Sequence, residues 1–287
     1  MLLTSLSVLA ASLNGTLLHT VKFHTRRKVY YFNLCCTGIW IIILLSVNQG
    51  FPVTDSRVWT WGMMYGGAQV LFLLFKTLAM STGPVSVTTL IGNCSLLLST
   101  AVSVYVWKEP FGAGKAIGLL LLVTAVFMCT YTKTAMSYGK GWKIYCIGFF
   151  IFAASVGIIF KYFSFSECRD QANDMMAAAS IIMFGLLVFL IFIDSKGNQQ
   201  DKSMAVKEEK IPIWTIVLCG LLSCFYNRLN IYLTGSLPGA FFYPVFNGGT
   251  VFVSFLLSKL FFNERMEKIQ IFGMILGILA IIIVSIF

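Results

Sequence analysis

The sequence predicts an all-α polytopic membrane protein, with ten transmembrane helices arranged as two inverted five-helix repeats. Three observations carry this reading. The chain has 287 residues, 58% hydrophobic and 11% charged, where a soluble chain carries roughly 25% charged residues. A soluble fold of this length cannot hide so much apolar surface. Apolar runs of about 20 residues recur along the chain, the length that crosses the hydrocarbon of a bilayer. The chain also repeats itself: Pro84, Asn93, Glu109 and Gly118 recur as Pro238, Asn247, Glu264 and Gly273, 154 or 155 residues later.

Taken in order, the expected spans are 2–21, 29–48, 58–80, 84–106, 115–132, 144–162, 173–193, 212–233, 238–258 and 269–287. No basic stretch precedes the first, which begins at Leu2, so a cleaved leader is not expected. The second follows the basic group Arg26, Arg27 and Lys28. The third and eighth contain Gly66 and Gly220, again 154 residues apart. The fourth and ninth open on Pro84 and Pro238 after the tight turns Ser81-Thr82-Gly83 and Gly235-Ser236-Leu237. Proline suits the first turn of a helix because its missing N–H has no partner there. The fifth and tenth carry Gly118 and Gly273. The first and sixth share Ala10-Ala11-Ser12 and Ala153-Ala154-Ser155, 143 residues apart. The offset grows because the polar connection at 194–211, after the seventh span, has no counterpart in the first half. The repeats are therefore 1–133 and 144–287. Five crossings per repeat is an odd number, so the second half runs through the membrane opposite to the first, about a pseudo-two-fold axis in the membrane plane.

The formal charge of +10 is not a nucleic-acid surface, because the basic residues sit in short connections between apolar runs. Odd-numbered connections hold fourteen Lys and Arg, and even-numbered ones five when Lys115 and Lys161 at the adjoining span ends are counted with them. The positive-inside rule then places the odd connections in the cytoplasm and both termini outside, in a multi-pass protein of the cell membrane. The eight cysteines form no C-x-x-C pair, and His19 and His24 are the only histidines. Neither a zinc site nor a disulfide framework is expected, and no cofactor is implied.

Gly83-Pro84, Lys108-Glu109 and Gly118, with Asn263-Glu264 and Gly273 in the second half, resemble the EamA-type drug/metabolite transporters. There a small residue and proline open the fourth helix, a Glu follows that helix, and a Gly lies in the fifth. The resemblance covers essentially the whole chain. It implies a ten-helix carrier of small metabolites with alternating access, and it names no substrate. In sidedness the chain departs from the pattern: the family is usually drawn with cytoplasmic termini, and here the basic residues favour the reverse.

All eleven carboxylates lie in connections or at helix ends. No carboxylate relay of the kind proton-coupled carriers use is therefore expected at mid-membrane. Apart from Lys115 and Lys161 at span ends, Lys76 and Arg228 are the cations inside spans. Either they snorkel to the interface, or they face a cavity and select anionic or zwitterionic substrates. Asn93 and Asn247 are repeat-related, and a lipid-facing amide is poorly satisfied, so both are expected to face the bundle interior. There they bond between helices or contact substrate from each half. Asn14, Gln69, Tyr226, Asn227 and Tyr243 are further candidates for the same cavity. Glu109 and Glu264 read as anchors at helix ends, and Gly66, Gly67, Gly118, Gly220, Gly273 and Gly277 as sites of close helix contact. An enzyme is not expected, since no metal cluster or Ser/His/Asp set can assemble. The chain reads as a membrane carrier of a small metabolite, its partners being that substrate and lipid; the alternative is a non-transporting scaffold or receptor, which needs no inverted repeat.

Overall fold

A computed structural model describes residues 2–19, 21, 26–48, 55–82, 88, 91–130, 141–197, 211–262 and 267–286. Among them are ten α-helices: α1 Leu2–His19, α2 Arg26–Val47, α3 Ser56–Thr82, α4 Ser95–Trp107, α5 Ala113–Thr130, α6 Trp142–Ser164, α7 Ala172–Gly197, α8 Ile213–Ser236, α9 Gly239–Phe262 and α10 Lys268–Ile286. Helical residues 91–93 lead into α4 through a turn at Cys94. Gly83, Pro84, Asn263, Glu264 and most of the polar 194–211 connection lie outside the described residues.

Length and apolarity suffice for a membrane crossing at Arg27–Val47, Ser56–Ala79, Trp142–Ser164, Arg169–Asp194 and Ile213–Ser236; Leu2–Leu18, Ile91–Trp107, Ala113–Met128 and Lys268–Val284 are shorter apolar helices. The outward surface suits hydrocarbon. Ile42, Leu120, Ile144, Phe189, Leu260 and Phe272 are all exposed, an arrangement that water would penalise and lipid does not.

The helices pack mainly across the middle of the sequence. Helix α3 packs on α6 and α7, α8 on α1 and α2, α2 on α7, and α5 on α10; α4 packs on α6 and α9, and α1 on α9. Exchanging each helix for the one five places away turns α3 on α6 into α8 on α1, α3 on α7 into α8 on α2, and α4 on α6 into α9 on α1. Two apolar clusters hold these faces. One joins Trp40, Tyr65, Phe160, Met175, Met176 and Ile231 across α2, α3, α6, α7 and α8. The other joins Leu96, Leu122, Val126, Phe252 and Ala280 across α4, α5, α9 and α10.

Small residues set the closest approaches, as van der Waals packing inside lipid requires. A Cβ at Gly62 would lie 2.8 Å from Ala178 Cβ, and one at Gly66 would lie 2.9 Å from the Ala179 carbonyl oxygen. Gly118 brings α5 against Val284 of α10, where a Cβ would meet Cγ2 at 2.6 Å. Helix α9 starts at the Pro238 carbonyl, which accepts from Phe241 and Phe242 N–H at 3.1 and 2.8 Å. Pro244 lies inside it, leaving the carbonyl four residues earlier without its usual donor.

Candidate functional site

A cavity of about 560 Å³ lies among α1, α3, α4, α6, α8 and α9. Helical spacing brings its polar residues together. On α3, Gln69, Phe72 and Lys76 are three and four residues apart, so they share one face. On α8, Asn227, Asn230 and Thr234 do the same. Asn93 ends the short helical stretch before α4, and Asn247 lies on α9. Phe149, Phe160, Tyr226, Phe242, Tyr243 and Phe246 complete an aromatic wall. Four pairs of lining residues are 154 positions apart, the offset of the repeat: Phe72 with Tyr226, Lys76 with Asn230, Gly92 with Phe246, and Asn93 with Asn247.

The amides differ in what they have left to offer. Asn227 is engaged at both ends: Tyr65 Oη donates to its Oδ1 at 3.1 Å, and its Nδ2 donates to the Ser223 carbonyl at 2.8 Å. Asn230 Oδ1 accepts from Ser7 Oγ at 2.6 Å. Asn247 Nδ2 donates to the Tyr243 carbonyl at 3.0 Å, one turn back, and Tyr243 Oη donates to the Gly157 carbonyl at 3.0 Å. Gln69 and Asn93 have no side-chain hydrogen bond to the described residues, and Lys76 has no ion pair among them. The Lys76 ammonium lies 5.6 Å from the centre of the Phe72 ring.

Two residues expected in the site sit elsewhere. Arg228 is absent from the cavity lining; its Nε–H donates to Asn173 Oδ1 on α7. The reason is angular: one residue past Asn227 is a rotation of about 100° on a helix, which turns Arg228 from the cavity toward α7. Asn14 lines a smaller adjoining pocket of about 110 Å³ that shares Gln69, Phe72, Lys76 and Tyr226 with the main one, and its Nδ2 donates to the Cys219 carbonyl at 2.8 Å.

At one end of the molecule, beyond Phe160, Thr234 and Phe242, a polar knot ties several helices together. Lys108 ends α4 with φ of 50°, a left-handed residue that turns the chain so that Glu109 meets the start of α9. Gly239 N–H donates to Glu109 Oε1 and Ala240 N–H to Oε2, each at 2.9 Å. A carboxylate is favoured there because the first N–H groups of a helix have no internal partners. Lys161 Nζ, near the end of α6, is 3.1 Å from Glu109 Oε1 and donates to the Leu237 carbonyl at 2.8 Å. Its charge also lies 5.4 Å from the Phe165 ring centre. Arg57 pairs with Asp55 and Glu167 at the same end, and Asn48 Nδ2 donates to Asp174 Oδ1 at 2.9 Å.

Sequence reading missed Asn230 and Lys161. The repeat offset held a signal for Asn230, which falls 154 residues after Lys76. Lys161 looked like an ordinary interfacial cation, and nothing local reveals a partner 52 residues earlier.

No curated protein sequence matches the chain. A solved crystal structure shares its fold, with 98% of each chain covered, a TM-score of 0.69 and 12% sequence identity. Residues 141–286, just over half of the chain, match the EamA-like transporter family. With its apolar helices, that match makes this a multi-pass membrane protein, and the chain belongs to the EamA-like transporter family.

Proposed function

We propose that the protein carries a small metabolite across the cell membrane by alternating access between two inverted five-helix repeats, 1–133 and 144–287. The observation that carries this reading is the cavity itself. Helices of both halves line it, and four pairs of its lining residues are repeat-related. A site on the pseudo-axis is the region that gates on both sides can share. The pairings of α3 on α6, α3 on α7 and α4 on α6 support the same arrangement, since each has its counterpart when the halves are exchanged.

In this reading Asn93, Asn247, Lys76 and Gln69 contact the substrate, with Asn227 and Tyr243 shaping the wall and Asn14 the adjoining pocket. Lys76 favours anionic or zwitterionic solutes. Arg228 holds α8 to α7. The Glu109–Lys161 knot closes one end of the cavity and parts when the cavity opens there.

Uptake into proteoliposomes, measured over a panel of labelled metabolites, tests the proposal. The wild-type protein takes up at least one solute with saturation. Asn93→Ala and Asn247→Ala each slow that uptake severalfold while remaining folded, because losing a polar contact to a buried group costs roughly 1–3 kcal/mol. Folded wild-type protein that moves no solute sinks the carrier reading. Near-normal uptake by the Asn93/Asn247 double variant returns these two residues to a packing role.

A further inference from the structure

The carrier reading leaves the substrate's charge and shape open, and the cavity's own chemistry constrains both. Among the described lining residues Lys76 is the one cation, and there is no carboxylate. Its repeat partner is Asn230, a neutral amide already bonded to Ser7. The two halves therefore agree in position and differ in charge, so the cavity carries one uncompensated positive charge off its pseudo-axis.

Charge balance decides between candidate solutes. A monoanion bound with Lys76 leaves the cavity neutral. A zwitterion leaves one net positive charge there, with no acidic side chain among the described lining residues to meet its ammonium group. A dianion leaves one net negative charge. Uncompensated charge in a largely apolar cavity is costly, so the monoanion is preferred to both. Gln69 and Asn93 add N–H donors that no described residue accepts, and donors of this kind suit the oxygens of a carboxylate.

The rest of the wall is aromatic. Phe72 and Phe149 have ring centres 5.5 Å apart at 49°, and Phe242 and Phe246 stack at 5.6 Å and 14°. Flat rings offer faces and edges that match a planar apolar body. At about 560 Å³ the cavity falls within the range of roughly 300–1,000 Å³ typical of small-molecule sites.

We infer that the cavity binds a flat, aromatic monocarboxylate, with its carboxylate at Lys76 and its ring among Phe72, Phe149, Phe242 and Phe246. This inference rests on the carrier reading and narrows it.

Thermal stabilisation of the purified protein tests it, because a ligand that binds the folded state raises apparent stability. The probes are benzoate, acetate, benzyl alcohol, benzylamine, phenylalanine and phthalate at equal concentration. Benzoate is expected to give the largest shift. Lys76→Gln is expected to weaken benzoate binding about tenfold or more, as loss of a charge-assisted contact does, while Lys76→Arg retains it. Benzylamine, phenylalanine or phthalate matching benzoate overturns the charge assignment. Acetate matching benzoate overturns the aromatic one. Absence of any benzoate shift in the wild-type protein, or an undiminished shift in folded Lys76→Gln, overturns the inference as a whole. Proteoliposome uptake keeps the two readings apart: saturable uptake of a neutral or cationic solute alone preserves the carrier and rejects this substrate class.

Discussion

Glu109 and Lys161 form the pair on which single substitutions should act most strongly. Their side chains are 11% and 3% exposed, so neither charge has water to fall back on. Burial pushes the Glu109 carboxyl up, but the N–H groups of Ala240 and Gly239 and the Lys161 ammonium outweigh it and hold the group below the usual carboxylate range. Glu109→Gln leaves Lys161 buried without its counter-charge, at a cost of about 3 kcal/mol. The expected result is a lower unfolding temperature in detergent, partly restored by adding Lys161→Met. The pH dependence follows from the sign of the shift. A carboxyl whose folded pKa is depressed stabilises the fold above its unfolded pKa, and the gain is lost as pH falls through the folded value. The stability gap between wild type and Glu109→Gln should therefore stay constant from pH 8 to pH 5 and close only below the ordinary carboxylate range, near about 4. A gap that closes between pH 7 and 5 contradicts this account. The sequence marked Glu109 as an anchor, but its partners lie 52 and about 130 residues away along the chain. A pairing of that kind is a property of tertiary packing.

At the scale of the helix, glycine has different weight on different faces. Gly66 abuts the Ala179 backbone, whereas an added Cβ at Gly67 would meet nothing within 4 Å. Gly66→Leu should drive α3 from α7 and cost about 1–3 kcal/mol. Gly67→Ala should be neutral or slightly stabilising, since alanine favours helix. Thermal unfolding of both variants checks the contrast, and equal effects contradict it. The helices themselves were largely legible. Hydropathy and repeat spacing placed α3, α6 and α8 to within a few residues, because lipid demands long apolar runs whatever their partners. The facing of each residue was less legible. A helix that is apolar all round carries no stripe to show which side turns inward, and Arg228 was misplaced for that reason while its neighbour Asn227 was not. Gln69 and Lys76, one stripe on α3, were both anticipated because polar groups are too costly to leave in lipid.

For the whole molecule, we propose from the excess of Lys and Arg in the odd connections that these connections face the cytoplasm and both termini face outside. A cysteine introduced between Asp194 and Lys210, in a background freed of native cysteines, should resist an impermeant thiol reagent applied to intact cells and react once the membrane is opened. Labelling of intact cells reverses the assignment.

The way the helices pair also bears on how the chain comes to exist. Among the described residues, α1, α3 and α5 find their main neighbours in α6 to α10, and α2 and α4 also pack chiefly there. The first five helices leave the ribosome before those neighbours are made. For roughly half of synthesis the nascent chain lies in the bilayer with its inward faces, Asn93 and Lys76 included, turned toward lipid or toward the insertion machinery. The proposed five-helix repeat is therefore not the unit that folds. Assembly waits for the second half of the chain, and a ribosome that stalls midway leaves the first five helices without their main neighbours.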